Sequence, residues 1–282
     1  MAPGRWRVSF DAAYGAFTTS HVAECPDVAP ECATQLIPPH MHRAKVGITH
    51  TEIEAEYGLR ERMQLALRLP YDVKDIRIRY TTLAGAPFTP PYGDIHHRTE
   101  TLRGISDPSL MLDWSPSPDW QFGFGTTLPI GDVTEDPVRL GKEGLRHEHT
   151  QFGSGTFNPK LAVQFYRSHL FARAEGRLTA YESSGGYRAP NSLVLSVGPS
   201  LRAGRVSIDP RINAQYQGRA RWHGEADEGS GFHNGGIRLQ LGVPMGAVTI
   251  APGVYRELWS HGFDGQSFRQ GTTWSLAVSR GF

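Results

Sequence analysis

Apolar side chains alternate with small or polar ones along most of this chain, with the two-residue period of a β-strand. The clearest case is Thr272 to Phe282. Trp274, Leu276, Val278 and Phe282 share one parity, and Thr273, Ser275, Ala277, Ser279 and Gly281 the other. Eleven earlier segments repeat the pattern. The first three run from about Arg5 to Thr19, Ala44 to Tyr57 and Met63 to Thr82. The fourth ends on Leu110, Leu112 and Trp114, and the fifth begins with Trp120, Phe122 and Phe124. The next two hold Leu161, Val163 and Phe165, then Ala172, Ala174 and Leu178. Leu193, Leu195 and Val197 mark the eighth, and Ile208, Ile212 and Tyr216 the ninth. Ile237, Leu239 and Leu241 mark the tenth, and Val248, Ile250 and Val254 the eleventh. No long stretch places apolar residues at i, i+3, i+4 and i+7, so the chain reads as all-β. In the third segment the apolar parity switches from Leu65/Leu67/Leu69 to Ile76/Ile78/Tyr80, which predicts a kink near Pro70 and Asp75.

The connections alternate in length. Tight turns fall at 58–62, 115–119, 167–169, 202–205 and 244–247, and long loops near 20–43, 83–99, 133–150, 182–191, 223–232 and 260–267. Up-and-down outer-membrane barrels alternate in this way, with long extracellular loops and short periplasmic turns. A soluble sandwich would also alternate its faces, but it has no reason to alternate its connections. The predicted fold is therefore a transmembrane antiparallel up-and-down β-barrel of about 12 strands, with residues 1–282 forming a single domain. Tyr57, Trp114, Trp120 and Phe165 lie near the short turns, as an interfacial aromatic girdle would. The last strand, with Trp274, Leu276, Val278 and terminal Phe282, resembles the carboxy-terminal assembly signal of bacterial outer-membrane barrels. That resemblance implies location in a bacterial outer membrane, with lipid and lipopolysaccharide as surroundings. It also implies recognition by the barrel-assembly machinery.

Four further points come from composition and short stretches of the chain. No run approaches the roughly 18 apolar residues of a membrane helix. The balance of 29 Lys+Arg against 28 Asp+Glu gives no attraction to nucleic acid. Met1-Ala-Pro-Gly-Arg leads straight into a strand pattern, so the expected export signal peptide is absent from this numbering. Cys25 and Cys32, in a Pro-containing loop, suit a local disulfide in an oxidising compartment, with two free thiols as the alternative.

One face of the predicted strands carries Glu52, Glu54, Glu56, Arg68, Asp113, Lys160, Arg173, Glu175, Arg177, Asp209, Arg211 and Arg238. Two readings stay open for this lumen set. It is a salt-bridged network that fills the barrel. Or it lines a pore in which Arg173, Arg177, Arg211 and Arg238 face Glu52, Glu54 and Glu56. Ten of the twelve histidines map to extracellular loops or strand tops. His40/His42 and His147/His149, with His96 and His97 between them in sequence, have the spacing of a transition-metal chelate; polar loop surface is the plainer reading. No cofactor is required, and a loop-bound transition metal is the candidate. No His stands beside Ser109 or Ser196 in a recognisable motif, and nothing in the spacing of Glu135/Asp136 and Glu225/Asp227 with His223 demands that they activate water, so an enzyme is not expected.

Arg103-Gly-Ile-Ser-Asp-Pro108, Thr127-Leu-Pro-Ile-Gly-Asp132 and Gln151-Phe-Gly-Ser-Gly-Thr-Phe-Asn-Pro159 resemble turn motifs of a known family. It comprises the outer-membrane barrels named as transporters of the phenol meta-cleavage pathway (MetA-pathway of phenol degradation-like). Gly58-Leu-Arg-Glu-Arg62 resembles that family's first hairpin turn. The resemblance implies a transport association and carries no catalytic residues. The expected function is passive passage of a small polar or aromatic-acid-like solute through a narrow, mixed-charge lumen. The alternative is a non-conducting surface barrel whose His-rich loops bind a metal or a protein partner.

Overall fold

Backbone N–H and C=O groups inside a bilayer must be satisfied within the protein, and a sheet does this only by closing on itself. The computed structural model describes residues 1–23, 36–91, 98–148, 150–227, 230–263 and 269–282. Its wall starts with β1 (Trp6–Ala23), β2 (His40–Arg60) and β3 (Met63–Thr82). The fourth stave is interrupted and consists of β4 (Glu100–Ile105) and β5 (Ser109–Trp114). Next come β6 (Trp120–Thr127), β7 (Pro159–Arg167) and β8 (Leu170–Arg177). After the short β9 (Tyr187–Arg188), the wall resumes with β10 (Ser192–Pro199) and its continuation β11 (Leu201–Ala203). Then come β12 (Val206–Gln217), the loop strands β13 (Arg221–Trp222) and β14 (Glu225–Ala226), and β15 (Phe232–Met245). The wall ends with β16 (Val248–Gly262), short β17 (Arg269–Gln270) and β18 (Thr272–Gly281).

Each stave pairs antiparallel with its sequence neighbour, and β18 pairs with β1 from Arg7↔Gly281 to Tyr14↔Trp274. The result is the closed, antiparallel barrel of twelve staves that the alternation predicts. The short turns lie at one end. Arg62 and Ser168, at φ of 64° and 57°, take the left-handed conformation that such tight turns demand. The long connections lie at the other end, where β9, β13 and β14 make a separate small sheet. The one helix among the described residues is α1 (Pro137–Lys142). Arg139 braces it by pairing with Glu135 and Glu143, four residues away on either side.

Large apolar side chains face outward, among them Trp6, Phe10, Tyr14, Leu69, Tyr71, Trp114, Trp120 and Phe124, all exposed. In water this would be an unexplained apolar surface, whereas in lipid it is the required one. Trp6 packs on Tyr57 at 4.7 Å and Trp120 on Phe165 at 4.8 Å, at the short-turn end. The closing strand presents Trp274, Leu276 and Phe282 on the same outer face.

The expected kink in β3 is absent. Its ladder to β2 runs without a shift from Gly58↔Gln64 to His40↔Thr82. Leu65, Leu67 and Leu69 face lipid, while Ile76, Ile78 and Tyr80 face inward. The parity switch has another cause. A strand tilted about 40° gains about 2.5 Å of height per residue, so about 10 residues cross an apolar band of about 25 Å. β2 and β3, with 21 and 20 residues, project beyond it, and there the inner face is the drier one. The irregularity lies in the next stave. Arg68 opposes Ser109 but Tyr71 opposes Ile105, so Leu69 and Pro70 face the three residues Ser106, Asp107 and Pro108.

If β18 faces lipid, Leu276→Arg should cost about 2–4 kcal/mol in a denaturant titration of bilayer insertion. A cost below about 1 kcal/mol would remove that face from the bilayer centre.

Candidate functional site

The lumen parity gathers the predicted charges, and Glu175 stands at their junction. Its carboxylate lies 2.9 Å from Lys160, 2.6 Å from Arg173 and 3.7 Å from Arg68. Arg68 also donates to Glu54 at 2.8 Å and stands 4.0 Å from Glu52. Arg68 is on β3 and Glu175 on β8, with three staves between them, so the pair is a chord across the lumen. The acidic and basic sides therefore interlock rather than face each other across open water. Charges confined in a narrow, poorly solvated lumen are costly unless paired, and mixed signs at one height pair.

Glu56 lies nearer the short turns, where it accepts from Arg7, and Gln64 donates to it at 3.0 Å and to Asp113 at 3.2 Å. Asp209 and Arg211 form a separate pair at 2.8 Å. Arg211 also donates to the carbonyls of Pro199 and Pro210, the latter at 3.0 Å. Neither proline has an N–H, so the guanidinium reinforces a seam with fewer ladder donors. Arg177 donates to the Pro190 carbonyl at 3.1 Å, and Arg238 sits in register beside Arg211. Neither belongs to the Glu175 network.

Between β6 and β7, residues 150–154 fold inward against the lumen cavity, and the three motifs quoted above hold them there. Asp107 accepts from the amides of Gly131 (3.0 Å) and Ser154 (2.9 Å) and from the Ser154 hydroxyl. Asp132 accepts from the Ile105 amide at 2.9 Å, and Gly153 donates to the Asp132 carbonyl at 2.7 Å. Asn158, fully buried, donates to Ser154 at 2.7 Å and Thr127 at 3.0 Å. Lys74 reaches from the β3 wall to the Gln151 carbonyl at 3.0 Å, with its ammonium 4.3 Å from the centre of the Phe152 ring. A Cβ on residue 104 would come within 2.6 Å of that ring, which explains Gly104. Asp107 and the inward loop were not named as site residues from the sequence. The recurrent Gly/Asp motifs were the signal, but their convergence is not visible in a linear chain.

Between this loop, the Glu175 network and the far wall lies a cavity of about 820 Å³, lined by Phe17, His50, Asp72, Phe152, Tyr187 and others. The nearer Nδ1 of His50 is 2.8 Å from Asp72, whose other oxygen accepts from the Ser106 hydroxyl. The carboxylate stands between hydroxyl and imidazole, so Ser106 is not placed as a nucleophile beside a base. On the loop side, Tyr187, Ala189, Ala220 and Trp222 form a small buried cluster. Burial there pushes the Tyr187 phenol up to about 12.

His40 and His42 are buried with their Nε2 atoms 3.1 Å apart. Phe88 packs on His40 and Tyr80 on His42, at 4.6 and 4.7 Å. The Nδ1 of His147 lies 2.8 Å from the Leu145 carbonyl. His96, His97 and His149 fall outside the described residues, as do Cys25 and Cys32, so the expected disulfide finds no support. Among the described residues, no three His, Cys, Asp or Glu gather to hold a metal.

No protein-family model matches the chain, and no curated protein matches it. Solved structures do. The COG4313 outer membrane channel from Pseudomonas putida F1 is similar at 13% identity and TM-score 0.56, covering 100% of this chain and 97% of that one. The P. putida toluene transporter TodX is similar at 10% identity and TM-score 0.49, covering 100% and 91%. At such identities the likeness to the first of these shows the fold alone, an outer-membrane barrel.

Two predictions follow from the loop and its roof. Asp107→Ala removes three bonds to a charged acceptor, each worth about 1.5–3 kcal/mol. It should destabilise the barrel by about 3 kcal/mol or more and open residues 128–158 to protease; unchanged cleavage would show that Asp107 does not hold the loop. The Tyr187 phenol, raised from its usual 10.0 to about 12, keeps its proton where the unfolded chain loses it. Stability should therefore fall as pH rises from 10.0 towards 12, and Tyr187→Phe should remove that component in alkaline unfolding curves.

Proposed function

We propose that this barrel lets a small solute cross a bacterial outer membrane passively, through a lumen narrowed by side chains and one inward loop. The observation that carries this reading is the 820 Å³ cavity directly against the Glu175–Arg68 chord. A barrel with only a structural role has no need of a chamber that size. The cargo that fits is small, polar or aromatic-acid-like. Phe17 and Phe152 offer apolar ring contacts in the chamber, while Lys74 and Arg177 supply positive charge. The resemblance of the 103–108, 127–132 and 151–159 motifs to the phenol-pathway transporter family supports the same cargo. The channel of P. putida F1 shares the fold, which is in keeping with a conducting role. Delivery by the barrel-assembly machinery through the Phe282 strand belongs to this reading.

A second reading rests on the buried His40/His42 pair, whose facing nitrogens suit a transition metal at the lumen's outer end. It makes the barrel a surface binding module.

Single-channel recording in planar bilayers separates the two. The first reading expects steady conductance that rises about twofold or more in Arg68→Ala. Selectivity should shift towards cations, because Glu52, Glu54 and Glu175 lose their shared partner. Absence of conductance in both proteins, with Zn²⁺ retained by the wild type and lost in His40→Ala/His42→Ala, would favour the second.

A further inference from the structure

Above the apolar band, the outer wall changes character between β2 and β4. Outward residues of β2 run Tyr57, Ala55, Ile53, Thr51, Thr49, Gly47, and then Lys45 and Arg43. Those of β3 run Leu65 to Val73 in steps of two, then Asp75, Arg77 and Arg79. The register sets Lys45 opposite Arg77 and Arg43 opposite Arg79, and it sets Arg103 of β4 opposite Val73. All five cations are exposed. Asp75 accepts from Arg77 at 3.1 Å and from the Thr101 hydroxyl at 3.3 Å. Arg43, Lys45, Arg79 and Arg103 make no ion pair among the described residues.

Like charges directly opposite on an antiparallel ladder repel, and two such pairs in succession are an odd choice for a bare surface. Their height explains them. Lys45 and Arg77 stand twelve residues above Tyr57 and Leu65 in the ladder, or about 30 Å at 2.5 Å per residue, just over an apolar band of about 25 Å. Tyr14 marks the boundary. Its ring lies over Gly47, where a Cβ would meet the phenol oxygen at 3.2 Å, one outward step below Lys45. Arg43, Lys45, Arg77 and Arg79 therefore begin where lipid headgroups begin, on the long-loop side, with Arg103, level with Val73, in the upper part of the band just below them.

Guanidinium groups bind phosphate oxygens in pairs, and a cluster of them selects a multiply charged headgroup. Exposed charges alone hold a free anion weakly. An anion carried on acyl chains also gains the apolar wall below, where Ile53, Leu69 and Tyr71 are exposed. We propose that Arg43, Lys45, Arg77, Arg79 and Arg103 form a binding site for the phosphates of an outer-leaflet glycolipid of the lipopolysaccharide type. Its acyl chains would lie along β2 and β3. The site rests on the outer-membrane location proposed above.

The test uses the full chain in detergent and in phospholipid vesicles. The probes are bisphosphorylated lipid A, its dephosphorylated form, and inorganic phosphate. The variant Arg43→Gln/Lys45→Gln/Arg77→Gln/Arg79→Gln removes repulsion and should fold, as the unheated gel mobility of the barrel would confirm. Arg202→Gln/Arg205→Gln, at the short-turn end, is the control. Lipid A bound per protein in native mass spectrometry should fall roughly tenfold or more in the fourfold variant and stay unchanged in the control. Arg103→Gln should give a smaller loss. The dephosphorylated lipid should bind both proteins equally weakly. Equal lipid A binding by wild type and fourfold variant, with normal vesicle insertion, would overturn the site and leave the membrane reading standing. Inorganic phosphate competing as well as lipid A would overturn the glycolipid assignment. Failure of the wild type to insert into vesicles would overturn both readings together.

Discussion

The structure depends on leaving no strand edge towards lipid. The first and last strands meet in an eight-residue ladder from Arg7↔Gly281 to Tyr14↔Trp274, which turns an open sheet into a tube. Every other feature follows from that closure. A tube has an inside, so the period-two alternation divides each strand between lipid and lumen. The polar half of the chain is thereby collected into one narrow space, where charges must find one another.

Two constraints then shape that space. Arg68 and Glu175 link opposing parts of the wall, and each is held by further charges on its own side. Above them, Asp107 fastens the inward loop through bonds to Gly131 and Ser154. It lies in the Ser106–Pro108 bulge, the place where the fourth stave slips against β3. The bulge re-aims a carboxylate that a regular strand would have left in the ladder, a use bulges commonly serve near functional sites. The chamber, its floor and its roof are consequences of pairings between distant strands.

Outside the tube, the same geometry sorts residues by height. Tyr14, Tyr71 and Trp274 end the apolar band, and β2 and β3 continue past it into a region where Arg43, Lys45, Arg77 and Arg79 face outward. The aliphatic residues Ile76 and Ile78 then turn inward, which is why the apolar parity of β3 switches while its backbone does not bend.

Much of the fold was legible in the chain. Alternation is local, so Trp274/Leu276/Val278 or Glu52/Glu54/Glu56 disclose their faces without any knowledge of partners. Turns are local too, and short ones are marked by residues such as Gly246 and by tight spacing. Strand count and antiparallel order thus came from the sequence. Which lumen charges meet did not. Glu175 touches Arg68 across three intervening staves because the register of every ladder between them sets their relative height. Likewise the 103–108, 127–132 and 151–159 motifs stand out as Gly/Asp-rich turns, but only the closed barrel brings Asp107 to Ser154. Periodicity reports which way a side chain points; closure and register decide what it points at.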